Sequence, residues 1–307
     1  MSEILEFLPE AMFYRKTEDD SVICELCPHG CIIQPGKTGV CGTRKNIGGK
    51  LYPLGWQRIS ALNLDPIEKK PLSMFSPGYN ILSIGGYGCN LRCPFCQNHD
   101  ISVFELNEPN EETFSDSNLW PKGDYFNSAL LECALENCRS MKNIGVAYTY
   151  NEPLINYEFV YHCAEFVSSK KQLKNVPVTN GYINPEPLLK LLPLVDAMNI
   201  DLKGFTDEFY KKLGGRLNPV KNTIEMAAKH CHIEVSTLII PGENDSEEEI
   251  ALLAEWLSGI NPGIPLHLNR FFPRYKYSDK SPTPRERIFT LYAAAKRYLK
   301  NVFMGNM

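Results

Sequence analysis

The sequence predicts an α/β fold, a parallel sheet curling into a partial or full barrel, with a small cysteine-rich module at its amino end. Two observations carry this. From residue 81 onward, short apolar runs alternate with amphipathic stretches. Before residue 51 there is little periodicity of either kind, and Cys24, Cys27, Cys31 and Cys41 sit among Pro28, Pro35, Gly30, Gly36, Gly39 and Gly42. So loop-rich a segment has little core of its own and reads as a module held by a metal.

The strand candidates are residues 81–85, 144–150, 175–179, 195–201, 233–240 and 265–270. The clearest helix between them covers 247–260, where Ile250, Leu253, Trp256, Leu257 and Ile260 recur at helical spacing. Ser246 and Glu249 read as a capping box at its start. Strands that alternate with helices pair in parallel through right-handed crossovers. Residues 51–80 read as an irregular connection, which divides the chain into 1–50, 51–80 and 81–307. The acidic stretch 104–122 reads as a solvated insertion loop, with a lid or partner-binding loop as the alternative.

Composition narrows the function classes. The chain has 307 residues, 43% of them apolar, and a net charge of −4, which disfavours a nucleic-acid partner. No apolar run reaches the roughly 18 residues of a membrane span, so no membrane partner is expected. The amino terminus has neither a basic nor an apolar leader pattern, and a cytoplasmic location is the expectation. Eleven cysteines in a reducing compartment point to metal ligation rather than disulfides. Cys133, Cys138, Cys163 and Cys231 are scattered and read as packing residues.

Cys89, Cys93 and Cys96 have the spacing C-x3-C-x2-C directly after the first strand candidate. Three thiolates can hold three irons of a cubane and leave the fourth open to a small molecule, whereas a cluster used only for electron transfer takes four cysteines. A zinc site with a distant fourth ligand, or plain packing, is the alternative. The motif lies at the carboxyl end of a strand, where parallel α/β folds carry their chemistry. Cys24, Cys27, Cys31 and Cys41 form a second set, C-x2-C-x3-C-x9-C. Zinc suits it; a second iron–sulfur cluster is the rival, and His29 could replace one cysteine.

The first motif, with Phe95 before its third cysteine, resembles the signature of the radical S-adenosylmethionine (SAM) superfamily. Its continuation through Gln97 and Asn98 resembles the pyruvate formate-lyase-activating enzymes. Cys-Glu-Leu-Cys-Pro-His-Gly-Cys at 24–31, Asp-Pro-Ile-Glu-Lys-Lys-Pro at 65–71 and Tyr-Thr-Tyr-Asn-Glu-Pro at 148–153 are similar to the AmmeMemoRadiSam-system branch. The resemblance implies a (β/α)6 partial TIM barrel and a [4Fe–4S] cluster on Cys89, Cys93 and Cys96. It also implies an external one-electron donor such as flavodoxin or ferredoxin. The implied reaction is reductive cleavage of SAM to methionine and a 5′-deoxyadenosyl radical, which abstracts hydrogen from an unidentified substrate, protein or small molecule. A glycyl-radical-enzyme activase is the alternative, and a non-catalytic iron–sulfur electron carrier a remote one.

The resemblance also marks cofactor contacts, Phe95 and Asn98 among them. Glu152 matches the acid of the family's Gly-Gly-Glu-Pro segment, with Tyr150 and Asn151 in place of the glycines, so the Asn151 carbonyl would share the binding of the methionyl ammonium. Thr179 and Asn180 match a Thr-Asn-Gly turn. Val178 replaces the aspartate that accompanies a cation in the activating enzymes, so no such cation is expected. Asp201 and Lys203 share a strand face, suited to the ribose and the methionyl carboxylate. Ser236 stands where the activating enzymes have an arginine, a role open to Arg270 or Arg274. His267, on the last strand, is a further candidate, with a satisfied core histidine as the alternative. Val178, Ser236 and the extra cysteines favour a substrate other than a glycyl-radical enzyme.

Overall fold

The computed structural model describes residues 8–103 and 126–307; the acidic stretch 104–122 lies outside them. An eight-stranded sheet forms the body, in the order β13-β12-β11-β10-β9-β8-β7-β6. Here β6 is Ala61–Pro66, β7 Asn80–Gly85, β8 Asn143–Thr149, β9 Lys174–Thr179 and β10 Ala197–Asp201. The sheet continues through β11, His232–Ile239, β12, Leu266–Arg270, and β13, Val302–Gly305. All pairings from β7 to β13 are parallel, and β6 runs antiparallel to β7. The helices α1 (Ser128–Asn137), α2 (Tyr157–Ser169), α3 (Pro185–Leu191), α4 (Leu217–Ala227), α5 (Glu247–Ile260) and α6 (Arg285–Ala295) follow β7 to β12 in turn.

The six expected strands are present, and two more extend the sheet. The irregular connection expected over 51–80 is corrected by β6, whose Ala-Leu-Asn-Leu-Asp pattern alternates as an edge strand should. Pro66 closes it at a position where proline costs no ladder bond. The capping box is also half corrected. Ser246 Oγ accepts from the Glu249 N–H at 3.0 Å, but the Glu249 carboxylate turns away and accepts from the Phe205 N–H at 2.6 Å.

The amino-terminal module holds more strand than its composition suggests. β1 (Tyr14–Lys16), β2 (Val22–Cys24) and β3 (Ile32–Ile33) form an antiparallel sheet, and β4 (Arg44–Ile47) and β5 (Lys50–Pro53) form a hairpin. Gly48 and Gly49 turn that hairpin at φ 60° and 76°, the left-handed pair a tight two-residue turn needs. The module shares its core with the barrel: Val22, Leu26 and Ile33 pack in one cluster with Tyr157 and Val160 of α2. The Arg44 guanidinium pairs with Glu158 of α2 at 3.0 and 3.1 Å, both side chains buried. At Gly88, φ 81°, a Cβ would stand 2.6 Å from the Cys41 carbonyl, so only glycine lets the two cysteine loops meet.

One sheet face carries Thr149, Val178 and Asp201 near the strand ends, and Ala147, Val176 and Ala197 two to four residues earlier. Residues 67–75 plug this lower interior. Ile67 and Leu72 bury themselves against Ile81, Ala147, Val176 and Ala197.

Candidate active site

The carboxyl ends of the strands converge on a cavity of ≈ 390 Å3 lined by Cys89, Cys93 and Cys96. Phe95, Asn98, Asn151, Glu152, Thr179, Asn180, Asp201 and Lys203 line the same cavity. Asn151, Glu152, Thr179, Asn180, Asp201 and Lys203 lie at or within a few residues of strand ends and the others on the segment after β7, so the fold gathers residues more than 100 positions apart. A larger groove of ≈ 680 Å3 runs along the module, lined by Cys24, Asn184 and Arg216 among others, and touches none of these residues. Chemistry follows the converging polar groups rather than volume.

Cys89 has two hydrogen-bond donors at its sulfur. Cys89 Sγ accepts from the Leu91 N–H at 3.4 Å and from Asn180 Nδ2 at 3.6 Å. Burial pushes the Cys93 thiol up to about 11, although the Lys203 charge pulls the other way, and burial likewise raises Cys89. Among the described residues, no group of three or more His, Cys, Asp and Glu side chains is already in position to hold a metal ion.

Glu152 is buried, and burial raises its carboxyl to about 7 against three hydrogen bonds that favour the anion. Oε1 accepts from the Leu154 N–H at 3.0 Å and Thr179 Oγ1 at 2.7 Å; Oε2 accepts from the Asn180 N–H at 2.7 Å. A carboxylate has about four acceptor sites, which leaves one on Oε2 beyond these three bonds. Lys203 Nζ lies 2.6 Å from Asp201 Oδ2. Burial works against the Lys203 charge, but Asp201 and the neighbouring cysteines outweigh it and hold its pKa above the usual value.

Several predicted contacts do other work. Asn151 braces the cysteine loop, its Oδ1 accepting from the Gly86 N–H at 2.9 Å and its Nδ2 donating to the Gly88 carbonyl at 2.9 Å. One accepted bond leaves Oδ1 a second acceptor site. Asn98 Nδ2 donates to the Tyr150 carbonyl at 2.6 Å and holds Tyr150 at φ 71°. Phe95 lines the cavity but packs chiefly on Phe209 and Tyr277.

His267 is corrected outright. It lies one residue into β12, below the cavity, and its Nε2 is 2.6 Å from Glu234 Oε2. Glu234 also meets His232 at 3.0 Å and accepts from the Ser73 and Met74 N–H groups at 2.9 and 2.7 Å. His267 thus helps to fasten the interior plug. Ser236 is bonded to Asn199 at 3.0 Å, and Arg270 lines an adjoining groove at the cavity mouth. Lys69, Lys70, Gln97, Asn269 and Asn306 also line one or both spaces and were not site candidates in the sequence. The Asp-Pro-Ile-Glu-Lys-Lys-Pro stretch is visible there, but adjacent lysines are usually solvated, as Lys69 is, and nothing in the spacing marks Lys70 as the buried one.

In the module, Cys24, Cys27, Cys31 and Cys41 line one small space together with Arg44 and His29. His29 Nε2 is engaged by the Asn90 carbonyl at 2.6 Å, so that nitrogen is taken. Arg44 Nε is buried with no hydrogen-bond partner. Four thiolates around a divalent metal carry net negative charge, and an orphaned guanidinium N–H beside them is a fitting neighbour.

Residues 83–254 match the Radical SAM superfamily, more than half of the chain, and the chain belongs to that superfamily. It is 41% identical to Uncharacterized protein MJ0808 of Methanocaldococcus jannaschii, over 97% of this chain and 85% of that one. It is 22% identical to the pyruvate formate-lyase-activating enzyme of Staphylococcus epidermidis, over 57% of this chain and 67% of that one. A radical SAM methyltransferase from Sphaerobacter thermophilus shares the fold with a TM-score of 0.54 and 15% identity, over 75% of this chain and 67% of that one. The parallel sheet is thus that of a radical SAM barrel. Among the described residues, no helix is long and apolar enough to cross a membrane.

Proposed function

We propose that this chain is a radical SAM oxidoreductase with a [4Fe–4S] cluster on Cys89, Cys93 and Cys96 and SAM in the adjoining cavity. The single observation that supports this most is the convergence of three thiols with Glu152, Asp201 and Lys203 on one cavity at the strand ends. When bound, the cluster and SAM supply one-electron cleavage of the sulfonium C–S bond, giving methionine and a 5′-deoxyadenosyl radical that takes hydrogen from a substrate. An external donor provides the electron.

The chain's residues orient the cofactor. Glu152 offers its remaining acceptor to the methionyl ammonium, Lys203 its charge to the methionyl carboxylate, and Asp201 an acceptor to a ribose hydroxyl. Thr179 and Asn180 keep the Glu152 carboxylate aimed, and Asn180 steadies Cys89. The module's four cysteines hold a structural zinc in this reading, closed and redox-silent.

Electron paramagnetic resonance of anaerobically reconstituted, reduced protein tests the assignment. About four irons should be found at this site, and SAM should change the cluster signal because it binds the open iron. A signal indifferent to SAM would leave only an electron carrier.

A further inference from the structure

His29 stands between Cys27 and Cys31 of the module, yet its ring reaches the loop that carries the other cysteine set. Its Nε2 lies 2.6 Å from the Asn90 carbonyl, and the ring meets that of Tyr182 edge-on at 5.2 Å. A carbonyl oxygen only accepts, so Nε2 carries the proton and donates. Asn90 follows Cys89 directly, and it is buried. Its side chain is held as well: Oδ1 accepts from Asn180 Nδ2 at 2.9 Å, and Nδ2 donates to the Tyr182 carbonyl at 2.7 Å. Arg92 makes a further tie between the two loops. It donates to the Val40 carbonyl, next to Cys41, and to the Cys89 carbonyl at 2.6 Å.

The Asn90 carbonyl and the Leu91 N–H belong to one planar peptide group. That N–H donates to Cys89 Sγ at 3.4 Å. A relay of hydrogen bonds therefore runs from the His29 ring, through the Asn90–Leu91 peptide, to a sulfur that would ligate the cluster. A bond accepted at the oxygen of a peptide polarises it and strengthens the donor at its nitrogen. Because the group is planar, the same bond also fixes the direction in which that N–H points. Hydrogen bonds to the sulfurs are among the levers that set the potential of an iron–sulfur cluster. Reduction adds negative charge to the cluster, so a donor at a ligand sulfur favours the reduced form.

We propose that His29 is a positioning residue for the cluster: it holds the Asn90–Leu91 peptide so that the Leu91 N–H stays on Cys89 Sγ, which raises the reduction potential. The inference rests on the reading that Cys89, Cys93 and Cys96 hold a [4Fe–4S] cluster. It gives the module a task beyond its own folding, because the loop that carries His29 is flanked by two of the module's cysteines.

Redox titration followed by electron paramagnetic resonance tests this on the anaerobically reconstituted full chain, as wild type, His29→Ala and His29→Gln. Glutamine keeps a side-chain N–H donor where alanine has none. At wild-type iron content and circular dichroism, His29→Ala should show a more negative midpoint, and His29→Gln should return towards the wild-type value. Coincident midpoints for wild type and His29→Ala overturn the inference, and so does a glutamine variant no nearer to wild type than alanine. Loss of the module's metal alone from either variant would make His29 its ligand and equally overturn it. Should His29→Ala not assemble, nuclear magnetic resonance of nitrogen-labelled histidine in the cluster-free wild-type chain decides. Nε2 should carry a proton that exchanges slowly with water; a bare Nε2 or a fast-exchanging proton overturns the inference. A cluster signal that responds to SAM, with a midpoint that ignores His29, refutes this inference only; a signal indifferent to SAM refutes the reading beneath it.

Discussion

Glu152 carries two duties at one carboxylate: it anchors the Thr179–Asn180 turn through two of its three accepted hydrogen bonds, the third coming from the Leu154 N–H, and it keeps one acceptor site for a ligand. Glu152→Gln should weaken SAM binding by about 1.5–3 kcal/mol, the scale of a hydrogen bond to a charged group. Iron content should persist, and isothermal titration reads the difference. The pH dependence has a definite sign. Burial raises the carboxyl to about 7 in the ligand-free protein, so below that pH a proton must leave before an ammonium can bind. SAM affinity should therefore fall roughly ten-fold per pH unit below about 7, and the slope should vanish in Glu152→Gln. A flat profile in wild type would reduce Glu152 to a turn anchor. This residue was legible in the sequence because it follows a strand directly. His267 was not: its partner Glu234 lies 33 residues earlier, and spacing alone cannot pair the two.

The β11–β12 pair fastens the plug that closes the lower interior, and Glu234 is its clasp. Burial opposes its charge, but hydrogen bonds from His232 and His267 and the N–H groups of Met74 and Ser73 prevail and lower its pKa to about 2. The ordinary value is 4.5. A depressed carboxylate stabilises the fold fully above its unfolded value and loses that contribution as pH falls towards its folded value. Glu234 should thus contribute on the order of 3 kcal/mol at neutral pH, lost between about 4.5 and 2. Urea midpoints measured at pH 6 and pH 3 should drop more for wild type than for Glu234→Gln; equal drops would contradict the clasp. At this scale the six central strands were legible from their apolar runs. The module's strands, two to four residues long, are too short to show a period. β6 did show its alternation, but Pro66 and the following lysines masked it as loop.

Across the whole molecule, the two cysteine sets meet where Gly88 touches Cys41, and Arg44 ties the module to α2. Removing one partner of a buried ion pair typically costs about 3–5 kcal/mol, so Glu158→Ala should lower the unfolding midpoint strongly. It should also loosen residues 8–50, which hydrogen exchange would register. Metal analysis should find about one zinc per chain beside the irons, and its chelation should loosen the same residues. About eight irons and no zinc would make the module a second cluster. Nothing in the spacing of Cys24, Cys27, Cys31 and Cys41 foretold the shared core, because that core depends on apolar residues of α2 more than a hundred positions away. The central claim, that the cavity at the strand ends cleaves SAM, is met most directly by one assay. Reconstituted protein with a one-electron reductant should release 5′-deoxyadenosine from SAM, and Cys93→Ala should release none. Absence of 5′-deoxyadenosine from iron-loaded wild type, or its undiminished release by the variant, would contradict the account.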